Sequence, residues 1–185
     1  MDHPILKEAD TRMKKSAESL RHELVKIRTG KASTSLLDGL RVDYYGTQVL
    51  LNQVASLSTP EPRLIVIQPW EKNLIGTIEK EIQKSDLGLT PVSDGTFIRL
   101  AIPMLTEERR KELVKLVRKY AEEARIAVRN IRRDANDQLK REQKEGNLSE
   151  DELKRLQDEN QKLTDQHIEV IDNLLGKKEE EIMEV

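Results

Sequence analysis

Three stretches of this chain repeat apolar residues every three or four positions, and one stretch between them does not. From Ile5 to Ile27 the residues Ile5, Ala9, Met13, Ala17, Leu20, Leu24 and Ile27 step at the spacing of an amphipathic helix with a coiled-coil-like seam, and Gly30 is the predicted stop. A second helix is expected after Pro103, with Thr106 as N-cap and Glu107 and Glu108 at the positive end of its dipole; no breaker interrupts it before about Glu145. Gly146-Asn147 reads as a turn, and Ser149 with Glu152 forms the S-x-x-E capping box of a third helix. Its seam is predicted at Leu153, Leu156, Asn160, Leu163, His167, Val170 and Leu174, with Asn160 as a register-setting residue. A middle helix of about 40 residues would be about 60 Å long, too long to bury its stripe alone, so the three helices are expected to pack as one bundle.

Between Lys31 and Ile102 the period changes. Arg41 to Tyr45, Gly46, and Val49 to Leu51 read as a hairpin, and Val54 to Thr59 and Leu64 to Ile67 as further strands. Glu71 to Lys84 reads as a short helix closed by the glycine turn at Ser85 to Leu89, and Phe97 to Ile102 as a last strand. Trp70 and Phe97 are expected in the core or at the rim of this part, since neither sits among basic residues. The fold class is therefore α+β, a long three-helix bundle (1–29 and 106–185) with an inserted β/α/β domain (32–102). The two links, 29–33 and 103–106, offer a hinge, with Gly30 free in φ and Pro103 stiffening the return. Two rigid, packed junctions are the plain alternative.

Charge adds the candidate chemistry. The net charge of −2 hides an asymmetry: residues 109–133 hold ten Lys or Arg against three Glu, while residues 142–185 hold fourteen acids against six bases. On a helical wheel Leu113, Leu116, Tyr120, Ala124, Ala127, Ile131 and Ala135 form one apolar side. Arg118, Arg125, Arg129 and Arg132 fall roughly opposite, with Lys111 in line, Arg133 at the margin and Glu122 as the one acid of the stripe. A helix that needs only solubility interleaves its signs. Guanidinium groups in a row suit phosphate oxygens, which they grip bidentately. The stripe thus reads either as a solvated face or as a footprint for a nucleic-acid backbone.

The remaining composition mostly excludes. Without cysteine there is no disulfide, thiolate nucleophile or Cys-based zinc site, and His3, His22 and His167 are scattered, each expected at the surface or in a seam. No phosphate loop, nucleophile elbow or His-carboxylate pair appears, so neither an enzyme nor a cofactor is expected, and the acids in runs such as Glu179 to Glu181 read as a solvated tail. With no apolar run of about 18 residues and no basic-then-apolar start at Met1 to Pro4, neither a membrane span nor a signal peptide is expected, and the cytoplasm is the default.

Six motifs in one order give the chain a resemblance: Arg28-Thr-Gly-Lys-Ala-Ser33, Val42-Asp-Tyr-Tyr-Gly46, Ser85-Asp-Leu-Gly-Leu89, Leu105-Thr-Glu-Glu-Arg-Arg110, Ala127-Val-Arg-Asn-Ile-Arg-Arg-Asp134 and Gln161-Lys-Leu-Thr-Asp165. Over essentially its whole length it resembles the bacterial ribosome recycling factors. The resemblance implies an L-shaped, monomeric, tRNA-like protein that binds the 70S ribosome after peptide release and, with elongation factor G and GTP, separates the subunits. It further implies that the bundle lies on large-subunit ribosomal RNA through the arginines at Arg129 and Arg132, with Arg110, Arg125 and Arg133 as neighbours. The elbow would comprise Arg28, Thr29, Gly30, Lys31, Ala32, Ser33, Pro103, Met104, Leu105 and Thr106. Two positions depart from the family pattern: Met104 stands where a second proline is common, and Lys31 where many members carry Arg. The competing reading, from another class, is a coiled-coil adaptor such as a chaperone cofactor whose acidic third helix docks a partner.

Overall fold

The computed structural model describes residues 3–184; Met1 and Asp2, part of the expected signal-free start, and Val185 lie outside the described residues. The chain divides into two compact units, residues 1–28 with 106–185, and residues 29–105 between them.

The first unit is three helices: α1 (Pro4–Lys26), α3 (Glu107–Lys144) and α4 (Glu150–Met183). Each packs on the other two. Pro4 opens α1, where a missing N–H costs no hydrogen bond. Thr106 caps α3 by accepting from the Arg109 N–H at 3.1 Å, and Ser149 and Glu152 complete their reciprocal box at the start of α4. At 38 residues, α3 extends about 57 Å.

The seam differs from the expected one in register. α1 buries Leu6, Ala9, Met13, Ala17, Leu20 and Leu24, with Leu6 in place of Ile5, and it ends at Lys26 rather than at Gly30. α3 buries Leu113, Val117, Ala121, Ala124, Val128, Ile131, Ala135 and Leu139. Leu116, Tyr120 and Ala127, expected at the centre of the apolar side, stand at its margin. A helix packed against two neighbours buries a broader arc than a single seam, and the small Ala121 and the β-branched Val117 and Val128 fit where the helices approach closely. In α4 the step from His167 lands on Ile171, fully buried, and leaves Val170 40 % exposed; Thr164, Lys178 and Ile182 join the buried side. Glu179 to Glu181 are the last turns of α4 rather than a tail.

The second unit holds β1 (Arg41–Tyr44), β2 (Thr47–Leu50), β3 (Ala55–Glu61), β4 (Leu64–Pro69), α2 (Ile75–Lys84), β5 (Pro91–Ser93) and β6 (Ile98–Ala101). β1 and β2 form an antiparallel hairpin; the others make one antiparallel sheet in the order β3-β4-β6-β5. The short β5 is an addition to the sequence reading, since three residues beginning with proline give almost no alternation to detect. The first turn of the expected helix at Glu71 is a 3-10 turn at Lys72–Leu74 that leads into α2. Ile65, Ile67, Ile78, Ile82, Ile98 and Leu100 are fully buried between α2 and the sheet. Both links to the first unit are tied to one turn: Ala32 N–H donates to the Pro62 carbonyl at 2.7 Å, and Ile102 N–H to the Arg63 carbonyl at 2.9 Å.

Candidate nucleic-acid interface

Three arginines of α3, Arg118, Arg125 and Arg132, reach side chains of α4, whereas Arg129 and Arg133 are exposed and bond partners on α3 itself. Arg118 bonds Glu179 through Nε, and this hydrogen bond raises the guanidinium pKa. Arg125 gives Nε and Nη2 to one oxygen of Asp172, at 2.8 and 2.6 Å, and Nη1 to Glu122 at 3.0 Å. Burial works to lower the Arg125 pKa, but the bonds to Asp172 and Glu122 outweigh it, and the net shift is upward. Arg129 reaches the other Glu122 oxygen at 3.1 Å, and Arg132 reaches Oε1 of Gln161 at 2.9 Å. Glu122 between two guanidinium groups is held below the usual carboxylate range, first by Arg125 and then by Arg129.

Sequence reasoning identified Glu122 within the stripe and missed Gln161, Asp172 and Glu179, which lie 29 to 61 residues away along the chain. Spacing along one helix carries no signal for such partners. Only the opposite charge of the third helix hinted at them.

The five candidate residues therefore differ in availability. Arg129 and Arg133 are exposed, and Arg133 turns back to the Asn130 side chain one helical turn away. Arg132 is half-buried. Arg125 leaves 20 % of its side chain accessible, with three of its donor bonds already committed. Arg110, in the first turn of α3, is half-buried and its Nε is enclosed without a hydrogen-bond partner. Four of the five lie within nine residues of one another, from Arg125 to Arg133; Arg110 stands four turns earlier.

One buried polar contact fixes this surface. Asn160 of α4 is fully buried and donates Nδ2 both to the Arg132 carbonyl at 3.0 Å and to Oδ1 of Asn136 at 2.8 Å. Thr164 bonds back to the Asn160 carbonyl at 2.8 Å. The Asn160 amide N–H groups find these two acceptors in one register of α4 against α3 and not in the neighbouring ones, while its Oδ1 is enclosed without a hydrogen-bond partner. The residue that sets the register thus bonds the backbone of Arg132 itself. His167, half-buried, meets Asp10 of α1 at 2.7 Å and joins the third pair of helices.

Residues 20–183 match the ribosome recycling factor family. The chain belongs to this family. It is 57 % identical to the ribosome-recycling factor of Halalkalibacterium halodurans and 58 % identical to that of Carboxydothermus hydrogenoformans, in each case over the full length of both chains. A solution structure of a ribosome recycling factor superposes with a TM-score of 0.72 at 47 % identity, covering 98 % of this chain and 96 % of the other. A second family structure, the T. thermophilus factor described together with E. coli elongation factor G bound to the E. coli post-termination complex, gives 0.61 at 51 % identity, covering 97 % of each chain. Membership in this family agrees with the α+β architecture of bundle and inserted unit. Among the described residues no helix is long and apolar enough to cross a membrane.

Proposed function

We propose that this protein recycles ribosomes in the cytoplasm: it binds the post-termination 70S ribosome on its large subunit and, with elongation factor G and GTP, splits it and frees mRNA and tRNA. The observation that carries this reading is the arginine row along α3, held in fixed register by α4. Arg129, Arg132 and Arg133 are its more available members, Arg125 is committed to Asp172 and Glu122, and Arg110 stands four turns earlier. Arginine-to-phosphate contacts supply affinity without reading bases, which suits folded ribosomal RNA, whose helices hide base edges in a deep, narrow groove. Arg129 and Arg132 already hold their forks extended against Glu122 and Gln161, so a phosphate replaces one anionic or polar partner with another and little side-chain entropy is lost.

This chain performs no bond chemistry in the scheme; GTP is hydrolysed by elongation factor G, and the role of the chain is binding and leverage. The lever would be the inserted unit, turning at Arg28 to Lys31 and Pro103 to Thr106. Ala32 and Ile102 are bonded to the Pro62–Arg63 turn, which leaves the flexing residues on the bundle side of those two anchors. Gly30, at φ +81°, occupies a conformation other residues reach only with strain. Met104, 56 % exposed, lacks the φ restriction of proline, which favours a looser return link.

Sedimentation of post-termination ribosomes with this protein, elongation factor G and GTP, against controls omitting each, tests the proposal. Free subunits in the complete mixture alone are expected. Absence of binding to ribosomes would overturn it and favour an adaptor that docks partners through acidic α4.

A further inference from the structure

Outside the arginine stripe, the second unit carries an aromatic cluster at the edge of its core: Tyr44 packs against that core, and Tyr45 and Trp70 project beyond it. Trp70 is 68 % exposed and Tyr45 75 % exposed, although Val54 and Leu74 nearby are buried. Tyr45 and Gly46 both have positive φ, +50° and +86°, at the turn of the β1-β2 hairpin. Glycine, asparagine or aspartate normally fill such a turn, so an aromatic residue held there marks a strained position. What the strain secures is a hydroxyl. Tyr44 donates to one oxygen of Glu71 at 2.7 Å, Tyr45 to the other at 2.8 Å, and Asn73 donates to the Tyr45 hydroxyl at 3.3 Å. The two rings meet edge to face with centroids 4.8 Å apart.

Glu71 is thereby held ionised, first by the Tyr44 hydrogen bond and then by that of Tyr45, and its pKa is lowered. Each carboxylate oxygen keeps a lone pair that neither tyrosine uses. Glu71 lines a notch of about 200 Å³ together with the aromatic Tyr44 and Trp70, the apolar Val49, Val54 and Leu74, and Gln53.

We propose that this notch receives an arginine or lysine side chain presented by a protein partner. Aromatic faces attract cations through their quadrupole, and a carboxylate in the same wall adds a charge-assisted hydrogen bond. The apolar lining of Val49, Val54 and Leu74 suits the aliphatic stem that such side chains lay along a surface. The volume falls below the roughly 300 Å³ at which small-molecule pockets begin, which favours one side chain over a metabolite. A nucleotide stacked on Trp70 would bring its phosphate toward Glu71, a repulsive pairing. The inference rests on these residues alone and stands independently of the ribosomal reading.

Trp70 is the single tryptophan of the chain, so its indole N–H resonance reports on the notch. Titration of the full chain with an acetylated, amidated Gly-Arg-Gly peptide is expected to shift that resonance saturably in the millimolar range. Citrulline in place of arginine should abolish the shift, and Glu71→Gln should weaken binding about fivefold. Tyr44→Phe, which keeps ring and carboxylate, should weaken it less and serves if Glu71→Gln disturbs the hairpin. An unsaturable shift, equal shifts with arginine and citrulline, or tighter saturation by uridine monophosphate would overturn the proposal.

Discussion

The two units of this protein present opposite chemistry on opposite kinds of core. The bundle is held by a long core of Leu, Val, Ile and Ala shared by three helices, and guanidinium groups of Arg118, Arg125 and Arg132 from α3 stand along the border with α4. The inserted unit has a compact core of isoleucine and leucine between a helix and a sheet, and it exposes aromatic rings around one carboxylate. A seam positions charges at intervals along tens of ångströms, as a polyphosphate requires, whereas a hairpin turn gathers a few groups at one point, as a single side chain requires. The difference lies in architecture as much as in residue type.

The comparison breaks most visibly in the cores. Ile171→Ala removes a fully buried side chain from the bundle and is expected to cost about 2–5 kcal/mol there. Chemical denaturation combined with amide exchange should show lost protection in α3 and α4 while β4 and β6 keep theirs. Equal loss in both units would mean one cooperative core instead of two. A smaller effect is expected at the boundary: Thr106→Ala removes the cap of α3 and should cost about 1 kcal/mol, read as a lower bundle melting temperature.

The charge border itself is sharpened by Asp172→Asn. This change removes a charge that holds Arg125 by Nε and Nη2 and is expected to raise affinity for large ribosomal subunits about two- to fivefold at low salt. A fall in affinity would mean that Arg125 acts through the α3-α4 contact and not on RNA. The smallest effect belongs to the inserted unit. Asp94 accepts from the Phe97 and Thr96 N–H groups and from Arg99, and its pKa falls to about 2, chiefly through the Phe97 bond. Because the folded value lies below the unfolded one, its stabilisation is full above about pH 4 and is lost as the pH falls toward 2. Asp94→Asn should therefore flatten the acid limb of the melting temperature between those values.

Much of this was legible in the chain. Both caps of the long helices, Thr106 and the Ser149-Glu152 box, are local patterns, and the structure has them at the positions the pattern indicates. Asn160 stood out because a polar residue interrupts an apolar repeat, and it is enclosed in the seam. Periodicity failed where two candidates lie one residue apart: Ile5 against Leu6, Val170 against Ile171. The choice depends on how the neighbouring helices approach, which no single helix encodes. Gly30 lies four residues beyond the end of α1, because the chain leaves helical geometry at Ile27 before any glycine requires it. The arginine stripe was found by residue type, but its partners Asp172, Glu179 and Gln161 come from another helix and became visible only in three dimensions. Trp70, expected in the core or at the rim, stands at the rim with its ring exposed.

The most direct test of the central account is the salt dependence of binding to isolated large ribosomal subunits, comparing the native chain with the Arg129→Ala, Arg132→Ala double variant. Affinity should fall at every salt concentration, and the slope of log K against log salt should become shallower by about two, one for each lost phosphate contact. An unchanged slope and affinity in a double variant that keeps its helical fold would contradict the account.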